Sequence, residues 1–289
     1  MAIEDGSQFL CAQRFPRSND YHPGWLLDPD LRAHPLWLVE WLSARMRLEK
    51  GMRVLDLGST KARSSIFLAR EMGVEVWAAD PVTSASDNRR RIAEADCTHS
   101  VFPIQVDARR LPFAEGFFDA IICMDVSDSA DLSAIDPDDL IRLVKPGGEI
   151  GVVSTGIMGD MRLTVPLRIV RFAGDRAPGA LLFDAWRKRL EKAGKVDCVD
   201  AGLVDEGWAL WLSWAEATGR PAAYLHTLRS YGPRYLGYYG LTARRTATGP
   251  SVAPRTSPDQ QGTEPRARAH HPLLRAVKVE GELACAPSP

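Results

Sequence analysis

Residues 53–65, RVLDLGSTKARSS, decide the fold. The apolar pair Val54 and Leu55 leads to an acid, Asp56, and then to Gly58. A polar loop follows, after which SSIFLAREM (64–72) repeats apolar residues at helical spacing. This is a strand feeding a tight turn that opens onto a helix N-terminus. Such a turn presents backbone N–H groups at the C-terminal edge of a parallel sheet, where ligands bind. The turn is unusual in carrying Thr60 and Ala62 where a nucleotide-type loop favours glycine.

Outward from this turn, strand-like and helix-like segments alternate. The pattern predicts strands at 53–57, 74–79, 101–106, 118–124 and 148–154, and helices at 63–72, 84–95 and 137–144. VDCVDAGLV (196–204) and YLGYYGLTARR (235–245) supply two more strands. The expected fold is therefore α/β, a doubly wound, mostly parallel, seven-stranded sheet. Before it, LWLVEWLSARMRL (36–48) is an amphipathic helix within an N-terminal lid spanning 1–50. The sheet domain spans 51–245. Residues 157–178 read as an irregular insertion, ALLFDAWRKRLEKA (180–193) as a helix, and GWALWLSWAEAT (207–218) as a helix with Trp208, Trp211 and Trp214 on one face. From Thr246 the composition shifts. Residues 246–289 hold seven of the 20 prolines and no aromatic residue, the signature of a disordered tail.

Bulk properties narrow the function classes. A net charge of −1 advertises neither nucleic acid nor an anionic membrane as partner. Five scattered cysteines without CxxC spacing argue against a disulfide framework or structural zinc, and for a reducing, cytoplasmic setting. Neither a signal peptide nor an apolar run long enough to span a bilayer is visible. No Gly-x-Ser-x-Gly elbow, P-loop or HExxH stretch supports a hydrolase, kinase or zinc protease.

Three carboxylates carry the ligand chemistry. Asp56 ends the first strand and is suited to accept from a ligand amine or from loop N–H groups. Asp80 closes VEVWAAD, 24 residues later, where a carboxylate typically takes the hydroxyls of a ribose. Asp107 closes VFPIQVD and is placed to accept from an adenine amino group. Three acids at the ends of successive strands on one sheet edge form a specific pattern, whereas one alone is weak.

The order VLDLGSTKARSS, VWAAD, QVDARRLPFAEGFFDAIICMD and LVKPGGEIGVV resembles the class I S-adenosylmethionine-dependent methyltransferases, in a bacterial small-molecule branch, from about Pro35 to Arg245. The resemblance implies that Asp56, Gly58, Ser59 and Thr60 hold the methionine part of S-adenosylmethionine. It implies that Asp80, followed by Pro81, binds ribose, and that Asp107 and Ala108 lie against adenine. Met124 and Asp125 would close the floor near the reacting methyl, with Asp125 as a candidate general base. The implied activity is methyl transfer to a small, apolar molecule, without nucleic acid, membrane insertion or metal. The oligomeric state is not readable from the sequence.

Departures from the family pattern matter equally. Family loops read D-x-G-x-G-x-G, so Thr60 and Ala62 replace glycines. A positive φ at such residues costs on the order of 1–2 kcal/mol, and if cofactor affinity bore it all the loss would be about tenfold. After the fourth strand, where relatives carry an aromatic residue and a histidine, this chain reads DVSDSADLSAIDPDD (125–139). Its irregular acids suit a solvated loop and a helix N-cap better than a divalent cation. A degenerate protein that keeps the fold, binds the cofactor weakly or not at all and transfers no methyl group is the alternative reading. Tyr21 and Trp25 resemble an aromatic lid, and the isolated His34 and His226 read as structural.

Overall fold

The computed structural model describes residues 13–28, 31, 33–124, 135–157, 165–166, 168–169, 172, 187–188, 190–192 and 194–246. The predicted helix at 180–193, most of the predicted insertion, Asp125 and the tail beyond Thr246 lie wholly or largely outside them.

Seven strands form one sheet: β1 (Arg53–Leu57), β2 (Glu75–Asp80), β3 (Val101–Gln105), β4 (Phe118–Met124), β5 (Val144–Ile157), β6 (Val196–Leu203) and β7 (Leu236–Arg245). Their order is β3-β2-β1-β4-β5-β7-β6. The first five are parallel, while β7 runs antiparallel to both β5 and β6. The strand order reverses between β1 and β4, the point at which a crevice opens beyond the strand ends.

Among the described residues the α-helices are α1 (Pro23–Leu26), α2 (Trp37–Ser43), α3 (Arg63–Met72), α4 (Ala85–Glu94), α5 (Pro137–Leu143), α6 (Gly207–Ala217) and α7 (Ala222–Tyr235). Two apolar cores, one per sheet face, follow from the period-two alternation of the strands. Val54, Val76, Ala120 and Ile122 pack with α2, α3, α6 and α7. Leu55, Leu57, Ile121 and Cys123 face the opposite way and pack with Leu140 and Ile141 of α5.

Most element boundaries agree with the sequence pattern to within a residue or two. One helix, α7, was not anticipated, because Gly232 and Pro233 interrupt its last turn. Its apolar residues Tyr224, Leu228, Tyr231 and Tyr235 nonetheless recur at spacings of three and four. The KPGG stretch lies inside the span of β5 and leaves its ladder with β4: Phe118 pairs with Val144, but Ala120 pairs with Glu149. Gly147 has a φ of 81°, and a Cβ on Gly148 would overlap the carbonyl of Asp119, so this excursion requires glycine. Lys145 fastens it by an ion pair with Asp119 at 2.6 Å.

The three tryptophans of α6 do not share one partner. Trp214 is fully buried and donates to the carbonyl of Leu31 at 3.0 Å, pinning the N-terminal segment to the domain. Trp211 donates to the Tyr224 hydroxyl at 3.0 Å, and Trp208 packs against Gly232 of α7. Asp136 caps α5 by accepting from the backbone N–H of Asp138, which accounts for part of the acidic run.

Candidate functional site

A cavity of about 450 Å³ lies at the C-terminal ends of β1, β2 and β4, beneath the N-terminal segment. That volume falls in the roughly 300–1,000 Å³ range of small-molecule sites. Its polar part includes Gly58, Ser59, Thr60, Ser64, Asp80 and Thr83, together with Asp28, His34, Lys61 and Arg63. Its apolar part is contributed by Leu31, Ala33, Pro35, Leu38 and Met124.

The β1–α3 turn has the shape its sequence resists. Gly58, Thr60 and Ala62 all have positive φ, at 80°, 45° and 57°. The backbone N–H groups of Gly58 and Ser59 both donate to the carbonyl of Ala79, tying the turn to the end of β2. Thr60 is held at both ends of its peptide unit. Its N–H donates to Asp80 Oδ2 at 3.0 Å and its carbonyl accepts from Asn88 at 2.8 Å. The left-handed strain at Thr60 is thus offset within the folded chain by a charge-assisted hydrogen bond.

Asp80 is buried and accepts three backbone N–H groups: Thr60 on Oδ2, and Val82 and Thr83 on Oδ1 at 2.9 and 2.6 Å. A carboxylate offers about four acceptor positions. One position therefore remains for a ligand hydroxyl, fewer than the sequence reading assumed.

Asp56 is fully buried behind the turn and off the cavity wall. Its Oδ2 accepts from the hydroxyls of Ser64 and Ser65, each at 2.6 Å, and so orients the first turn of α3. Burial pushes its pKa up to about 6, opposed by the two serine hydroxyls and reinforced by the charge of Asp80. A carboxyl whose native pKa exceeds its unfolded value favours folding when protonated, and that contribution is lost as pH rises through about 6. The stability of Asp56→Asn relative to wild type is therefore expected to be about 2 kcal/mol higher at pH 7.5 than at pH 4.5, measured by urea unfolding. An equal difference at both pH values would contradict the perturbed carboxyl.

The remaining expected cofactor contacts divide. Gly58, Ser59, Thr60, Asp80 and Met124 line the cavity, whereas Pro81, Asp107 and Ala108 do not. The Pro81 carbonyl accepts from Gln105 at 3.4 Å. Ala108 is buried in the second core, against residues of β1 and β4. Asp107 lies two residues beyond β3, is partly exposed, and forms a forked ion pair with Arg109 that holds its carboxyl well below the usual range. A ligand amine would have to displace a guanidinium there. Among the described residues, no cluster of His, Cys, Asp or Glu could hold a metal ion.

Tyr21 and Trp25 serve the lid differently from the sequence reading. Tyr21 stacks on Trp25, packs against Phe67 and donates to Glu71 at 3.0 Å, so it anchors the lid to α3 and does not line the cavity. The cavity wall comes from residues farther along the lid. There Asp28, almost wholly buried, forms ion pairs with Lys61 at 2.6 Å and Arg63 at 2.9 Å. Sequence reasoning gave none of the three a role, because Asp28, the partner that gives Lys61 and Arg63 their meaning, lies more than 30 residues before them and belongs to no motif. His34 also lies in this wall, although its lone position suggested a purely structural role.

The sheet order, the strand-end turn and the buried acid after β2 define a class I methyltransferase fold. Residues 54–148 match a family described as "Methyltransferase domain". A demethylmenaquinone methyltransferase of Listeria monocytogenes is 32% identical over 132 residues, which cover 43% of this chain and 53% of that protein. The chain thus spans about half the length of the curated relatives it matches. Two solved structures share the fold. A methyltransferase from Thiobacillus denitrificans in complex with S-adenosylhomocysteine is 21% identical with a TM-score of 0.51, covering 81% of this chain and 99% of that one. Geranyl diphosphate C-methyltransferase of Streptomyces coelicolor is 14% identical with a TM-score of 0.56, covering 74% and 80%.

Proposed function

We propose that this protein transfers a methyl group from S-adenosylmethionine to a small, mostly apolar molecule in the cytoplasm. The observation that carries the reading is one cavity joining the Gly58–Thr60 turn and Asp80 to the apolar surface of Leu31, Ala33, Pro35, Leu38 and Met124. The residues fit the cofactor. The buried hydroxyl of Ser59 has no partner among the described residues, and Asp80 keeps one acceptor position in the same cavity. Gly58, Ser59, Thr60 and Asp80 would hold it, with Met124 at the floor. The bound cofactor supplies an electrophilic methyl on a sulfonium.

The chain's own contribution is positioning and water exclusion. The lid, fastened by Asp28 to Lys61 and Arg63, covers the strand ends and places an apolar surface beside the polar turn. Holding an acceptor close to the methyl in the right orientation accounts for much of the acceleration in such a reaction, with little acid–base machinery. An apolar acceptor is in keeping with the demethylmenaquinone substrate named for the Listeria relative. A cytoplasmic setting is in keeping with the absence, among the described residues, of any helix long and apolar enough to cross a membrane.

Calorimetry with S-adenosylmethionine and S-adenosylhomocysteine tests the cofactor. Micromolar binding is expected, and none at millimolar concentration would overturn the reading. Transfer of labelled methyl to solvent-extractable product tests the reaction. Binding without transfer would favour the non-catalytic alternative.

The same calorimetry locates the strain at Thr60. Because that strain is already met within the fold, Thr60→Gly is expected to raise stability by about 1 kcal/mol, or roughly 2–4 °C in Tm. Cofactor affinity should change by less than about threefold. A tenfold gain in affinity with unchanged Tm would return the penalty to the binding step.

A further inference from the structure

We propose that Asn88 is a positioning residue for the cofactor. Its side-chain amide holds Thr60 in the left-handed shape that a glycine would adopt freely, and cofactor affinity depends on that hold. The inference rests on the methyl-transfer reading above and adds a residue of α4, outside the cavity wall, on which the binding turn relies.

Asn88 is only 1% exposed. It and Ile92, one turn further on, are the buried residues of α4, and Ile92 belongs to the apolar core. An amide on this core-facing side is costly unless its ends are bonded. Both are. Nδ2 donates to the Thr60 carbonyl at 2.8 Å, and Oδ1 accepts from Arg91 Nη1 at 2.9 Å. A guanidinium can only donate and a carbonyl can only accept, so the two contacts fix the orientation of the amide.

The bond falls on the residue that most needs it. Thr60 has a φ of 45°, where a β-branched side chain is strained. Asp80 holds the N–H of Thr60 and Asn88 holds its carbonyl. The first bond fixes the peptide plane before Thr60 and the second fixes the plane after it, so together they set φ and ψ. Both partners come from one short segment, residues 80–88. The left-handed penalty is comparable to one such hydrogen bond, so two bonds hold the turn with little to spare. Without Asn88, Thr60 is free to relax to negative φ. Thr60 and Lys61 both line the cavity, and rotation of the peptide between them reshapes the surface that meets the cofactor. The fraction of molecules with the competent turn then sets the apparent affinity. The competing role is a brace between α4 and the domain, indifferent to the residue at 60.

The test is a double-variant cycle, read by calorimetry with S-adenosylhomocysteine and by thermal unfolding of the unliganded protein. Asn88→Ala should weaken binding about tenfold. In a Thr60→Gly background, where left-handed backbone carries no penalty, the same change should weaken binding by less than about twofold. Asn88→Asp keeps the size and the Arg91 contact but cannot donate to Thr60, so it should lose as much as Asn88→Ala. An equal loss in both backgrounds, as a brace would give, overturns the proposal. So does wild-type affinity in Asn88→Ala or Asn88→Asp. Should Asn88→Ala alone not fold, the double variant is expected to fold and bind; if it also fails, Asn88 serves the fold and the proposal falls. Failure of wild type to bind S-adenosylhomocysteine at all overturns the methyl-transfer reading itself, which keeps the two failures apart.

Discussion

Asp80→Ala is expected to lower affinity for S-adenosylhomocysteine about 100-fold and to lower Tm by roughly 6–12 °C. Three backbone N–H groups, of Thr60, Val82 and Thr83, lose a charged acceptor in a nearly inaccessible place. Each such bond contributes about 1 kcal/mol or more, so a loss of about 3 kcal/mol follows, and domains of this size shift by roughly 2–4 °C per kcal/mol. The Thr60 N–H bond also offsets the turn's left-handed strain, and without it the turn is expected to relax away from its binding shape. Asp80→Asn keeps the size but turns one oxygen into a donor facing an N–H. It should lose most of the affinity too, ranking it far from a conservative change. Calorimetry and thermal unfolding read both effects. If Asp80→Ala lost affinity with an unchanged Tm, the carboxylate would be acting on the ligand alone and the turn would not depend on it.

The extent to which the site was legible in sequence follows from the range of the interactions involved. The β1–α3 turn and the acid ending β2 are local features, set by residues within about ten positions, and the pattern RVLDLGSTKARSS carried them. The conformation at Thr60 and Ala62 was legible as well, because the only economical route from β1 into α3 passes through positive φ. What the sequence concealed was where the resulting strain is met. That answer depends on Asp80 and Asn88, 20 and 28 residues away. Asp107 has a partner that was hidden for a related reason. Its position after β3 is right for a ligand contact, but Arg109, two residues on, captures the carboxylate.

The lid was the least legible part. Its aromatic residues drew attention to Tyr21 and Trp25, although aromatic bulk serves there to bury area against Phe67. The cavity wall instead uses Asp28 and His34, single polar residues whose meaning comes from partners in the β1–α3 turn and α3, at the start of α2 and on α6. Helix α7 was concealed differently: its apolar spacing was present, but a Gly-Pro pair in the last turn read as a break. Pro233 cannot donate to the carbonyl four residues earlier, and the helix ends two residues after it.

Gly240→Ala is expected to destabilise the protein by about 3 kcal/mol and, by moving the lid, to weaken binding in the cavity. Gly240 sits in the middle of β7, paired with Val153 of β5 and Gly202 of β6, where a glycine has no conformational reason to be. The reason is close approach, since a methyl group there would overlap the ring of Trp41. Trp41 is on α2, and it is largely buried between the sheet and the Arg45 guanidinium, which stacks 3.9 Å from its ring. The ring cannot yield without moving α2, and α2 carries Leu38 of the cavity wall and the N–H of Trp37 that fixes His34. Overpacking of a rigid contact typically costs 1–3 kcal/mol, and an aromatic ring pressed against a sheet lies at the upper end. Trp41→Leu removes the obstruction at a cost of its own of about 2 kcal/mol. In the double variant Gly240→Ala with Trp41→Leu, the two losses should fall well short of additive, with a coupling of at least about 1 kcal/mol by urea unfolding. Additive losses would mean that the glycine serves the strand and not the tryptophan. In that case the lid would be placed by Trp214 and Asp28 without help from the sheet.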